Sequence, residues 1–235
     1  MRKAFTLLEL ITAVCIIGII LALVMSAFVA AKSNADTAQC SSNLHQIGAA
    51  LQLYTADYDS ALPPITTVEF IGHHGKGPTR WRELLQIYLS KSAFPTCPAV
   101  QLPVSMERFK GSPSVSGYCY NGWLSSEVKI PRSETEQHVQ YVGVAESILN
   151  FSALTVTAFD ARAGIVARRA PDSGKAVFGI WAFDFTADIE AQPEGARRHS
   201  RGSNYLFADG HVHWFMPEKL KTGRRGDGIH PGFGL

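Results

Sequence analysis

The chain has 235 residues, 46% of them apolar and 18% charged, with a formal net charge of +2. That length supports one domain with appendages and a real hydrophobic core. The near-neutral balance gives no electrostatic case for nucleic-acid binding. The local clusters Arg197, Arg198, Arg201 and Lys219, Lys221, Arg224, Arg225 read as solvated surface.

In chain order, Arg2 and Lys3 come first, followed by Phe5-Thr6-Leu7-Leu8-Glu9-Leu10, and residues 10–31 then carry no charged side chain. Those 22 residues, at the helical rise of ~1.5 Å, make a rod of roughly 33 Å, enough to cross a hydrocarbon core. A carboxylate at such depth is expensive to ionise, so Glu9 is a candidate functional residue. Positive residues before the run, with Lys32 alone soon after it, keep the first residues cytoplasmic and export the bulk. A cleaved secretory signal has an apolar core of about 7–15 residues and a small-x-small site. The run here is longer and no such site stands out, so retention in the membrane is expected.

Beyond the run, Cys40, Leu44, Ile47, Leu51, Tyr54 and Tyr58 recur at spacings of four and three, one stripe on a helix. The spacing predicts a single helix from Phe5 to about Tyr58, half in lipid and half packed on a domain, ended by Asp59-Ser60-Ala61-Leu62-Pro63-Pro64. Residues 72–78 are loop chemistry, 81–89 a short second helix, 115–124 and 154–159 strands, and 126–140 a polar, exposed segment. Asn204-Tyr205-Leu206-Phe207-Ala208, then Asp209-Gly210, then His211-Val212-His213-Trp214-Phe215 predicts a hairpin with a type I′ turn at Asp-Gly. Counting outward, Phe207 pairs with Val212 and Tyr205 with Trp214 on a core face, while Leu206, Ala208, His211 and His213 take the other. Past Lys221 the glycine-rich end lacks apolar density and reads as a loose tail.

Four cysteines are present. Cys15 lies in the apolar run as a small hydrophobe. Cys40, Cys97 and Cys119 can form at most one internal disulfide, with one thiol left over. In an oxidising compartment Cys97 with Cys119 is the expected pair, since both lie in loop-rich sequence; spacing alone does not establish the link.

The opening Ala4-Phe5-Thr6-Leu7-Leu8-Glu9-Leu10 resembles the N-terminus of type IV prepilins and of type II secretion pseudopilins, with Ala4 in place of the usual Gly and Ser26 near the usual helix proline. His199, nine residues, then Asp209-Gly210 is similar to the His-x9-Asp-Gly signature of a large group of prepilin-like proteins, as are residues 40–48 and 54–63. The resemblance implies an α+β, pilin-like fold: a long N-terminal helix whose outer half lies on a mostly antiparallel sheet. It implies cleavage between Ala4 and Phe5 and N-methylation of Phe5 by a prepilin peptidase. It further implies assembly with other pilin-like subunits through Phe5 and Glu9, in a type II secretion-like or type IV pilus-like system. The expected organisation is a leader over 1–4, a membrane half of the helix over 5–31 and an exported half over 32–60. An α+β head follows over 61–220, with its hairpin at 203–215, and a tail over 221–235. The expected place is the bacterial cytoplasmic membrane, single-pass, head in the periplasm or envelope, in contact with lipid and without nucleic acid. A different class of reading is a permanent tether whose head binds an envelope ligand and does not polymerise.

Sites with chemistry are few. His211 and His213 share a face in the expected register and stand near His199, but spacing supplies no fourth ligand, so His199 reads as structural and no metal or cofactor is expected. Asp184, Asp188, Glu190 and Glu194 lack the central glycine and terminal Glu of an EF-hand and read as a solvated loop. Residues 72–77 fail as a phosphate loop because Lys76 precedes Gly rather than Ser or Thr. There is no Gly-x-Ser-x-Gly and no His-Glu-x-x-His, and no enzyme is expected.

Overall fold

The computed structural model describes residues 6–65, 81–90, 94–100, 117–121, 124–131, 137–160, 167–169, 176–178 and 197–220. Helix α1, Leu7–Asp57, runs unbroken for 51 residues and contains no proline. Thr6 caps it: its Oγ1 accepts from the Glu9 backbone N–H, while the Glu9 carboxylate accepts from Thr6 N–H at 2.9 Å and from its hydroxyl at 2.8 Å. This reciprocal box satisfies donors that a helix start otherwise leaves open. At the other end Asp59 and Ser60 take φ of 50° and 59°, and Ser60 N–H closes on Thr55 O at 2.8 Å. The left-handed pair terminates the helix three residues before Pro63 does.

The two halves of α1 see different surroundings. Large apolar side chains from Leu7 to Val29 stay 51–75% exposed, and α1 is long and apolar enough to cross a membrane. From Cys40 to Thr55 the predicted stripe is buried, with Cys40, Leu44, Ile47, Leu51 and Tyr54 all at 5% exposure or less. Tyr58, the last of the stripe, stacks on Tyr54 with ring centroids 4.2 Å apart and remains half exposed.

The head is the expected α+β arrangement. Helix α2, Trp81–Leu85, continues into a 3-10 turn over Gln86–Tyr88 and sets Trp81 against Tyr120 and Phe94. Strands β1 (Tyr118–Tyr120), β4 (Val156–Asp160), β7 (Ser203–Phe207) and β8 (Val212–Phe215) form a four-stranded antiparallel sheet in the order β1-β4-β7-β8. Where a polar exposed stretch was expected, β2 (Ser125–Pro131) pairs antiparallel with β3 (Gln137–Gly143). Val128, Ile130, Val139 and Tyr141 supply the strand preference that the overall polarity obscured. A further two-stranded piece joins β5 (Ala167–Arg169) to β6 (Ala176–Phe178). The acidic stretch 184–194, the 72–77 loop and the tail from 221 lie outside the described residues.

The C-terminal hairpin forms, but one residue out of the expected register. Tyr205 pairs with His213 and Leu206 with Val212, not Phe207 with Val212 and Tyr205 with Trp214. The cause is the turn. Gly210 alone is left-handed there, at φ 92°, while Asp209 is not. Phe207 N–H donates to His211 O and Gly210 N–H to Phe207 O, so the loop holds three residues and not two. One residue of slip exchanges faces. Leu206 and Val212 therefore join the helix-side core with Tyr118, Tyr120 and Ala158, whereas Tyr205, Phe207 and Phe215 pack on the opposite face with Cys119, Val156, Phe159 and Leu220. The type I′ geometry expected at Asp209-Gly210 occurs instead at Ser200-Arg201, with φ of 50° and 70°. There His199 and Gly202 exchange both backbone hydrogen bonds.

Because Leu44 and Ile47 are fully buried between helix and sheet, truncating either to Ala should cost about 2–4 kcal/mol. Ile87→Ala, at a position 76% exposed, should change stability by less than about 0.5 kcal/mol. Chemical denaturation of the full chain in detergent, followed by near-UV circular dichroism, checks both.

Candidate functional site

Among the described residues the densest polar chemistry lies between α1 and the sheet. Its origin is a β-bulge: Val156 pairs with Phe207, but Ala158 pairs with Leu206, leaving Thr157 as the extra residue of β4. The bulge is pinned by Asn121, whose N–H donates to Thr157 O at 2.7 Å and whose amide donates to Val156 O at 2.8 Å. A bulge re-aims the side chains that follow it. Val156 thus faces the outer core while Ala158, and with it Asp160, faces the helix.

Asp160 is fully buried and its Oδ2 collects three groups. Asn204 donates its backbone N–H at 3.1 Å and its side-chain amide at 2.9 Å, and His199 Nε2 stands 3.2 Å away. The Asn204 amide also reaches Thr37 O on α1 at 3.4 Å. His199, 1% exposed, touches Thr37 Oγ1 through Nδ1 at 3.2 Å and Cys97 Sγ through Nε2 at 3.5 Å. Its carbonyl accepts from Trp214 Nε1–H at 2.8 Å. One imidazole therefore links helix, sheet and the Cys97 loop.

Cys97 is bonded to Cys40 on α1, not to Cys119 as expected. Strand alternation is the reason: Tyr118 and Tyr120 point toward α1, so Cys119 between them points to the opposite face, away from Cys97. Cys119 is the buried thiol left over, and burial pushes its pKa up to about 11. It is an inert core residue rather than a nucleophile. Beside the disulfide, the Asn43 amide donates to Thr96 O at 3.1 Å and to the Tyr118 hydroxyl at 3.0 Å. That hydroxyl donates in turn to Cys40 O at 3.5 Å, and burial raises its pKa.

The other end of the His-x9-Asp-Gly motif makes a second, separate contact with α1. Asp209 Oδ1 accepts from His211 N–H at 3.1 Å and lies 2.6 Å from His211 Nδ1, closing the hairpin tip. Gly210 sits so near Gln52 that an added Cβ would come within 2.6 Å of its amide nitrogen, and one on Gly48 would meet Leu206 at 2.8 Å. The motif therefore holds the helix near Thr37 and again near Gly48, roughly 16 Å apart at the helical rise. His199 and Asp209-Gly210 serve one interface without forming one site. Glu9 lies far off in the first turn of α1; Ala4 and Phe5 fall outside the described residues. Sequence reasoning missed Asp160, Thr37, Asn43 and Asn204. Cys40 on a buried stripe was the available signal, since a helix cysteine facing the head needs a partner there.

The disulfide closes 57 residues of chain, so Cys97→Ser should destabilise by roughly 4 kcal/mol in the chain-entropy model. Peptide mapping without reduction should recover Cys40 joined to Cys97. Cys119 should react with iodoacetamide only after unfolding. Its thiol is held neutral in the fold and ionises near 9 when unfolded, so its contribution is complete below pH 9 and fades as pH rises toward 11. Cys119→Ser should flatten that alkaline loss in pH-dependent denaturation.

Residues 30–94 match the model of a family described as a protein of unknown function (DUF1559). The matched stretch carries Thr37, Cys40, Asn43 and the buried stripe of α1. No curated protein and no solved structure matches the chain.

Proposed function

We propose that this chain is a structural pseudopilin or minor pilin-like subunit of a type II secretion-like or type IV pilus-like system, and not an enzyme. In this reading a prepilin peptidase cuts between Ala4 and Phe5 and methylates the new amine. The subunit resides in the bacterial cytoplasmic membrane with its head on the outer side, then joins other pilin-like subunits through α1. The observation that carries it is the division of one continuous helix. Residues 7–29 form a mostly apolar stretch with a carboxylate in the first turn and no cover among the described residues, while the described head docks on the later half. Uncovered apolar helix surface of this extent demands lipid or neighbouring helices.

Glu9 suits the assembly role. Its carboxylate already faces the helix start, accepting from Thr6 N–H, so an amine freed at Phe5 of a neighbouring copy would neutralise two costly charges together. A tethered, non-polymerising envelope binding protein is favoured by one fact: Glu9 is satisfied within its own helix by the Thr6 box.

Mass spectrometry of the mature protein should find an N-terminus at methylated Phe5; an intact Met1 or a cut near Ala30 would overturn the proposal. Glu9→Leu should leave membrane fractionation unchanged while lowering cross-linked incorporation into filaments at least about tenfold, the loss of ~1.4 kcal/mol or more of pairing. Unchanged incorporation favours the tether.

A further inference from the structure

We infer that Cys40, Cys97, Asp160 and His199 form a buried site for a divalent cation of the zinc class when the Cys40–Cys97 disulfide is reduced. The inference is independent of whether the chain polymerises.

All four residues are buried, and one ligand atom from each lies within 4.8 Å of every other. Two of the distances that the disulfide leaves free to vary match the edges of a tetrahedral cage. With metal bonds of about 2.0–2.1 Å to N and O and 2.3 Å to S, tetrahedral edges are about 3.3 Å for N to O and about 3.5 Å for N to S. His199 Nε2 stands 3.2 Å from Asp160 Oδ2 and 3.5 Å from Cys97 Sγ. Reduction frees the two sulfurs to part to the roughly 3.7 Å that an S-to-S edge requires.

Proton placement points the same way. The single proton of the Thr37 hydroxyl goes to Ser33 O at 2.8 Å, so its oxygen accepts from His199 Nδ1–H at 3.2 Å. A neutral His199 then aims the bare lone pair of Nε2 at the Asp160 carboxylate. Two acceptors at that distance need a proton or a cation between them. Asp160 offers a second opening, because its buried Oδ1 has no hydrogen-bond partner among the described residues. The outer support that metal ligands use is already in place: Thr37 fixes the imidazole and Asn204 gives two N–H groups to the carboxylate. Two thiolates and a carboxylate around a dication leave one negative charge.

The redox step balances simply. Two thiols, or one phosphine with one water, deliver two electrons and two protons to the S–S bond; the thiols leave as their disulfide, and the phosphine leaves as its oxide with the water's oxygen. The cation displaces those two protons as the thiolates bind it. Bonded sulfurs offer no thiolate, so cation and disulfide exclude each other, and either one staples α1 to the head. The site is not the three-histidine set weighed from sequence, since His211 lies exposed at the hairpin tip and His213 exposed on β8.

The test is an anaerobic Co²⁺ titration of the purified full chain in detergent, reduced with a phosphine, followed by thiolate-to-cobalt charge transfer and the d–d bands, with metal content after gel filtration. The expected result is about one tetrahedral ion per chain in the reduced protein and under a tenth of that in the oxidised protein. Asp160→Asn and His199→Gln should each weaken binding about tenfold or more; Cys119→Ser and His211→Gln should not change it. A reduced chain that is folded by circular dichroism yet takes no ion overturns the inference. So does a reduced chain that unfolds and is not refolded by the ion, equal uptake by the oxidised chain, or uptake that persists in the Cys40→Ser/Cys97→Ser double variant.

Discussion

A carboxylate and an imidazole, both with almost no access to water, hold the helix of this protein to its head. Asp160 and His199 are 0% and 1% exposed in their side chains, and burying such a pair is worthwhile only when nearly every remaining donor and acceptor is answered. Asn204, Thr37 and the backbone of the 199–202 turn give those answers. Each comes from a different element, so the pair can be satisfied only when helix, bulged strand and hairpin are all in place. A polar cluster of this kind contributes less to net stability than an apolar one of equal volume, but it admits few alternative dockings of α1. The Cys40–Cys97 bond beside it adds a covalent tie at the same height on the helix.

That docking matters because α1 belongs to two environments. Its early half has no cover among the described residues, and its later half is the central element of the helix-side core. With no proline and no break through 51 residues, any displacement of the head is transmitted to the apolar rod as a rigid lever. The head is gripped twice, by the His199 network near Thr37 and by the hairpin tip near Gly48 and Gln52. Two grips separated along one axis suppress rocking as well as sliding. In the proposed assembly through the rod, the head's orientation would be part of the packing geometry.

Much of this was legible before any coordinates. The unbroken α1, its uncovered early half, its buried stripe from Cys40 to Tyr54, and the presence of a hairpin around Asp209-Gly210 all follow from local rules of periodicity, length and turn preference. The errors share one character. Asp-Gly suits both a two-residue type I′ loop and a three-residue loop with glycine alone left-handed, and choosing between them required knowing that Leu206, not Phe207, had to meet Gly48. Cys119 looked a fair partner for Cys97 until β1 paired with β4 and turned it to the far face. Asp160 gave no signal at all, because its inward aim depends on the extra residue at Thr157.

The sequence by itself determined what depends on neighbours a few residues apart: where the rod runs, where it ends, which stripe is greasy, and how many cysteines can pair. Only the tertiary structure decided which side of the sheet each strand residue occupies, and hence the Cys40–Cys97 bond and the Thr37–His199–Asp160–Asn204 network. The physical reason is that a strand alternates with a period of two, so one bulge or one residue of slip moves every following side chain across the sheet. Whether such a shift is accepted is settled by contacts between residues far apart in the chain.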